Sequence, residues 1–316
     1  MFTYIVKRLL LTVPTLVGVS VVAFLMIHLI PGNIVEVMLG TRTDVTAAQI
    51  RELDRLYGIN RPLWAQYLAW IGQLLHGNLG FSLRTGLPIT QLIGSAFAVT
   101  AELAVGALLV AVLIAIPLGV FAALHRGTAW DFAIRAVGLV GLSIPNFWLG
   151  TMVVLWTALY LPVLSSFTFV SLWSDPLLNL RDMLVPVFTL AVSLVAITLR
   201  MTRAAVLETL GRDHVRTARA KGMTPARVNL RHVLRNSLIP VLTIVGLQMG
   251  YLLGGAIVVE NVFSLPGIGR LLVSAINERD YPLVQASVLF VAAVFVLVNL
   301  VVDVLYAFAN PEIKVQ

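Results

Sequence analysis

Long apolar runs govern what this chain can become. Six stretches, at about 9–30, 100–124, 133–161, 184–206, 238–262 and 283–308, carry enough consecutive apolar residues to cross a hydrocarbon layer roughly 30 Å thick. Inside such a layer each backbone N–H and C=O must find its partner within protein, and an uninterrupted run of about 20 residues does so as an α-helix. The expected fold class is therefore all-α, a polytopic membrane protein with six transmembrane helices. Of the 316 residues, 59% are hydrophobic and 12% are charged, with mean hydropathy +0.94. A soluble domain carries about 25% charge, so the soluble classes are excluded. The absence of cysteine removes disulfides and thiolate metal sites.

The basic residues orient the bundle. With the N-terminus inside, one side collects Lys7, Arg8, Arg126, Arg135, the nine Lys and Arg residues from Arg200 to Arg235, and Lys314, which is 14 of the 22. Short loops rich in Lys and Arg stay cytoplasmic, so both termini are expected inside. The formal charge of +7 then belongs to cytoplasmic loops rather than to a nucleic-acid surface. The resulting organisation is an N-terminal end and first span over 1–30, an external region over 31–99, a five-helix core over 100–310 containing a cytoplasmic loop at 207–237, and a tail at 311–316. Within the external region, 46–57 reads as an amphipathic helix capped by Thr46 and ended by Gly58. Trp64, Tyr67 and Trp70 suit a membrane interface.

The cytoplasmic loop is the most informative stretch. From Asp213 to Gly222 it reads as a short basic helix, ended by a glycine that enters the left-handed conformation without a Cβ penalty. Thr224 can cap a second helix, with Pro225 at its first position, where a missing N–H costs nothing. Arg227, Arg231 and Arg235 share one face of that helix, with Val228, Leu234 and Leu238 on another. The small residues Thr217, Ala218 and Ala220 on an exposed helix suggest a surface made to dock.

This loop resembles the coupling loop of binding-protein-dependent ATP-binding-cassette importers, in the form found in the dipeptide, oligopeptide and nickel permease family. Arg216-Thr217-Ala218 stands in the place of that family's Glu-Ala-Ala, with Gly222 and Pro240 as its glycine and proline. Four more segments resemble the family: Gly77 to Pro88, with Asn78 in place of an aspartate; Ser143-Ile-Pro-Asn-Phe-Trp-Leu-Gly150; Glu260 to Arg270 with Arg279 to Gln285; and Asn299 to Pro311. The resemblance implies a type I ABC importer permease fold in a bacterial cytoplasmic (inner) membrane. It also implies an ATPase contact through Asp213, Arg216, Thr217, Ala218, Arg219, Ala220, Gly222 and Pro225. The implied partners are a homologous second permease subunit, two ATP-binding-cassette subunits, an external solute-binding protein and membrane lipid. No Gly-x-x-x-x-Gly-Lys-[Ser/Thr] phosphate loop occurs in this chain. No cofactor is therefore expected on it, and ATP with Mg is expected on the partners.

Other chemistry finds little support in the sequence. The five histidines are scattered and form no His-Glu-x-x-His pair. Ser143 and Ser193 lack a histidine deep enough to act as base, so neither a catalytic nor a metal site is expected. Gln248, Tyr251 and Asn299 are polar positions that could line a solute path or bond between helices. Glu260 reads either as a solute-facing carboxylate or as a helix-end carboxylate, and Asp303 as structural. Pro266-Gly267-Ile268-Gly269 forces a turn into a short helix with Leu271, Leu272, Ala275 and Ile276 on one face, a candidate outer gate. Peptides are the expected solute, with a nickel chelate, glutathione or a saccharide as alternatives. An ATP-independent secondary transporter is the rival class; it would show internal repeats and broken helices at mid-membrane, and the sequence shows neither clearly.

Overall fold

The computed structural model describes residues 2–28, 61–161 and 169–309. Among them no strand forms, and the one extended pairing is a bridge between Phe81 and Pro88. Helix α1 (Phe2–His28) is followed by the short α2 (Leu63–Leu75), then α3 (Ile89–Leu124), α4 (Ala129–Ser143) and α5 (Asn146–Tyr160). The long α6 (Pro176–Leu210) leads through α7 (Asp213–Ala220) to α8 (Pro225–Val228). A π-type turn over Asn229–Leu234 carries α8 directly into α9 (Arg235–Val262), and α10 (Ile268–Asn277) and α11 (Tyr281–Ala309) complete the chain. The amphipathic helix expected at 46–57 lies outside the described residues.

Helices α3, α6, the joined α8–α9 and α11 are long and apolar enough to cross a membrane. The apolar stretch of α1, Leu10–Met26, lies at the lower limit of the roughly 17–25 residues a crossing takes. The expected third crossing is not one continuous helix: α4 and α5 meet at 95°. The cause is local. A residue before proline is driven out of the helical region, and Ile144 adopts φ −86° and ψ 120° ahead of Pro145. Pro14, Pro117, Pro186 and Pro240 remain inside continuous helices. Helix α3 also begins earlier than its apolar run, because Ile89, Ile93 and Ala96 bury against Ile268, Ala275, Leu283 and Ala286.

The central seam joins α3 to α6. Small residues recur every four positions along α3 at Ala107, Ala111, Ala115 and Gly119, so the two backbones approach closely. A Cβ added at Gly119 would lie 2.7 Å from Thr202 Cβ and 2.9 Å from the Leu199 carbonyl. At Gly106 it would lie 2.9 Å from a Val187 methyl. Helix α9 meets α11 in the same manner, with Gly246 and Gly250 seating Val302 and Phe295. Outside this core, α1 packs on α11 and is tied to it by an Arg8–Asp303 ion pair at 2.9 Å. The expected interfacial aromatic stretch is α2, whose Tyr67 meets Phe24 edge-on and shares a 2.8 Å hydrogen bond with Ser20, while Trp64 stays exposed.

A buried ionic clasp joins α4 to α6. The Arg203 guanidinium donates in bidentate fashion to Asp131, at 2.7 and 2.9 Å, and the Gly127 N–H donates to the same carboxylate at 3.0 Å. Paired, this carboxylate fixes the α3–α4 turn; unpaired, Arg203 would remain as a largely buried charge.

Two outcomes follow for thermal unfolding in mild detergent. Gly119→Val should destabilise by about 1–3 kcal/mol through overpacking, with Thr202→Ala restoring part of the loss and Gly138→Ala, whose Cβ would meet only the Leu199 side chain at an ordinary 3.8 Å, neutral. Asp131→Ala should cost about 3–5 kcal/mol, whereas Arg212→Ala, which removes an exposed pair with Glu208, should cost under about 0.5 kcal/mol.

Candidate functional site

Two assemblies stand at opposite ends of α3, near Thr100 and Ala123, a separation of roughly 35 Å at 1.5 Å per residue. The first gathers two of the motif segments that are far apart in sequence, 77–88 and 260–270 with 279–285. Glu260, wholly buried near the end of α9, accepts a hydrogen bond from Thr100 Oγ1 at 2.6 Å and from the Arg270 N–H at 3.1 Å. Thr100 Oγ1 in turn accepts the Ile268 N–H at 2.9 Å. The first-turn donors of α10 have no partner within that helix, and this carboxylate and hydroxyl satisfy two of them. Negative charge also suits a helix N-terminus. Glu260 therefore locks α9, α10 and α3 together and is not presented to a passing solute. Gly267 and Gly269 make the approach possible: a Cβ at the first would collide with the Glu260 carboxylate, and at the second would come within 2.5 Å of Ile257 Cα.

A second lock secures the same end. Helix α10 closes with the Asp280 N–H bonded to the Ala275 carbonyl and the Arg279 N–H bonded to the Ile276 carbonyl, with Arg279 at φ 56°. This is a Schellman ending built on a non-glycine residue in the left-handed region, a conformation that costs of order 1 kcal/mol. It aims Asp280 at the loop formed by 77–88. Asp280 accepts from Ser82 Oγ at 2.5 Å and from the Leu83 N–H at 3.2 Å, and Arg84 Nε donates to the Glu278 carbonyl at 2.7 Å. Asn78, standing where the family resemblance places aspartate, accepts the Gly80 N–H at 2.9 Å, a task either side chain can perform.

At the far end, α7 lies against the bundle. Val215 and Ala218 bury among Ala123, Val206, Val228 and Val233, while Asp213, Arg216, Thr217, Arg219 and Ala220 face outward. Ala218, 5% exposed, is part of the seat that holds α7. Gly222 ends the helix at φ 76°, its N–H bonded to the Arg219 carbonyl at 3.0 Å and the Met223 N–H to the Ala218 carbonyl at 3.3 Å. Pro225 opens α8 and is exposed; Thr224 takes the cap position without a side-chain hydrogen bond.

The remaining path candidates do not converge. Gln248 is buried and accepts from Thr198 Oγ1 at 3.2 Å. Tyr251 projects from α9 with 80% exposure, Asn299 is half-buried on α11, and Pro266 is exposed. None of them lines a cavity of about 1390 Å³ that is bounded by α3, α4, α5, α6 and residues 169–173. Among the described residues no cluster of three His, Asp or Glu side chains could hold a metal. Sequence reading passed over Thr100, a threonine among many, and Glu102, although Glu102 is the one charge in the run 100–124 and that isolation was a usable signal.

Comparison with known proteins matches residues 115–315 to the binding-protein-dependent transport system inner membrane component family and residues 1–104 to the N-terminal membrane component model of the same systems. The chain is 38% identical to the dipeptide transport system permease protein DppB of Escherichia coli, over 99% of each chain. It is 44% identical to the di/tripeptide transport system permease protein DppB of Pseudomonas aeruginosa, over 100% of each, and 40% identical to the glutathione transport system permease protein GsiC of Escherichia coli, over 99% of each. Among solved structures it superposes on a chain of the MetNI methionine ABC transporter in its inward-facing conformation. The TM-score is 0.55 at 17% identity, covering 70% of this chain and 97% of that one, which shows a shared fold.

The two ends separate by mutation. Thr100→Val and Gly267→Ala should both loosen α10, raising amide exchange over 268–277 at least tenfold, with exchange in α7 unchanged. Gly222→Val should do the reverse, because a branched residue is strained at φ 76°.

Proposed function

The chain belongs to the binding-protein-dependent transport system inner membrane component family, and we propose that it is the permease subunit of an ATP-driven importer for short peptides. The observation carrying the solute class is near-complete alignment with two dipeptide or di/tripeptide permeases at 38% and 44% identity. The 40% identity to a glutathione permease supports the same class, since glutathione is itself a peptide. In this reading the chain forms one half of the translocation path beside a second, different permease subunit. Two ATPase subunits carry ATP and Mg, and a solute-binding protein docks on the end secured by Glu260 and Asp280. Both termini lie in the cytoplasm.

Coupling is assigned to α7. Its outward Asp213, Arg216, Thr217, Arg219 and Ala220 offer the ATPase a mixed, largely basic surface, while Val215 and Ala218 transmit force to α3 and α6 through the apolar seat. Gly222 and Pro225 set the angle between α7 and α8, so nucleotide-driven closure of the ATPases pulls on α9 through the joined helix. The broken α4–α5 pair is a feature a secondary transporter could also display, but family membership favours the ATP-driven reading.

Reconstituted with its partner subunits, the complex should hydrolyse ATP faster when peptide-loaded binding protein is present and accumulate peptide on the opposite face. Uptake without nucleotide would overturn the importer reading; stimulation by a nickel chelate or saccharide alone would overturn the peptide assignment. Arg219→Glu should uncouple hydrolysis from transport severalfold while leaving thermal stability unchanged. Because the chain has no native cysteine, topology is directly readable: Trp173→Cys should label from outside intact cells and Thr217→Cys should not.

A further inference from the structure

The geometry points to Glu102 as the contact for the positively charged amino end of a peptide in transit, inside the cavity between α3, α4, α5 and α6; this rests on the peptide-importer reading. Glu102 lines that cavity one helical turn from Ala98 and Val105, and among the described lining residues it is the one titratable side chain. The other described carboxylates at this end are engaged: Glu260 with Thr100, Asp280 with Ser82, Glu278 with Ser274, Asp175 with the Leu177 and Leu178 N–H groups, and Asp182 within the fold. Glu102 makes no hydrogen bond or ion pair with any described residue. An unpartnered carboxylate on a membrane-spanning helix marks a functional site, and its charge complement is a cation.

The surroundings narrow that cation. Leu109, Leu184, Phe188 and Trp173 give the cavity apolar walls, which suit side chains of varied size and repel a strongly hydrated metal ion. No Lys, Arg or His among the described lining residues could pair with a carboxylate end. The cavity therefore distinguishes the two ends of a peptide: it holds the ammonium and leaves the carboxyl end free. At about 1390 Å³ it exceeds the roughly 300–1,000 Å³ of an enclosing small-ligand site, so peptides of several lengths enter without being clasped. Single-point attachment through a feature common to all unblocked peptides gives tolerance of length and sequence, and leaves selection to the binding protein.

The test uses the full complex in lipid nanodiscs with a dipeptide and a tetrapeptide as probes at saturating loaded binding protein. Glu102→Gln should lower the number of peptides moved per ATP hydrolysed at least fivefold for both, and Glu102→Asp should retain more than half of the wild-type ratio. A Gln variant within twofold of wild type, or an Asp variant as poor as Gln, overturns the proposal. Glu102→Cys in the naturally cysteine-free chain should react with a membrane-impermeant, positively charged thiol reagent and be protected during peptide turnover. Absence of labelling in every nucleotide state means that lipid or the sister subunit covers the groove, and also overturns it. A wild-type complex that moves no peptide removes the peptide reading and this proposal together, before any variant is compared.

Discussion

The close seam between α3 and α6 sets the frame on which the other features depend. Lipid tails are as apolar as leucine, so helices in a bilayer gain little from hiding apolar surface from one another and associate through packing. Ala107, Ala111, Ala115 and Gly119 remove side-chain bulk along one stripe of α3, and α6 fills the space with Val187, Leu199 and Thr202. That contact sets the axial position of two helices long enough to extend past the bilayer at both ends. The parts beyond the membrane are then carried as fixed platforms, one for α10 and one for α7.

Each platform is completed by helix-end chemistry. Helices α2, α7, α9 and α10 all close with the same pair of backbone bonds, through Gly77, Gly222, Ser264 and Arg279 in the left-handed conformation. The start of α10 takes its acceptors from other helices, Thr100 of α3 and Glu260 of α9. Satisfying terminal N–H and C=O groups through remote partners turns a local requirement into a tertiary restraint. The segments 77–88 and 263–280 are held by such restraints together with the apolar cluster around Ile89, Ile93, Ile268 and Leu283.

The legible part of this architecture was the part governed by local rules. Apolar runs marked the crossings, and Gly222 and Pro225 marked the helix boundaries of the loop at 207–237, because glycine and proline act on their own backbone. The break at Ile144-Pro145 was hidden, since Pro117 and Pro186 in similar apolar settings leave their helices intact and only the surrounding packing separates the cases. Glu260 could be read as facing a solute because its partners, Thr100 and the α10 backbone, are distant in sequence. Ala218 resembled its outward neighbours in size, and only the position of α7 on the bundle turns it inward. Motif segments were recognisable singly, while their convergence on one end required the fold.

The helix that runs from Pro225 through Asn229–Leu234 into α9 is continuous but not uniform. A π-type turn holds one residue more than the α-helical repeat, and each residue in an α-helix advances the azimuth by about 100°. Everything beyond Leu234 is thereby set out of phase with the register that Val228 defines at the α7 seat. The bulge acts as the timing mark of a crankshaft: it fixes which sides of α9 carry Gly246 and Gly250 toward α11 and Tyr251 away from the protein. Deleting a single residue within 229–234 would leave the helix unbroken and its hydropathy intact, yet would re-index every side chain between the α7 seat and Glu260.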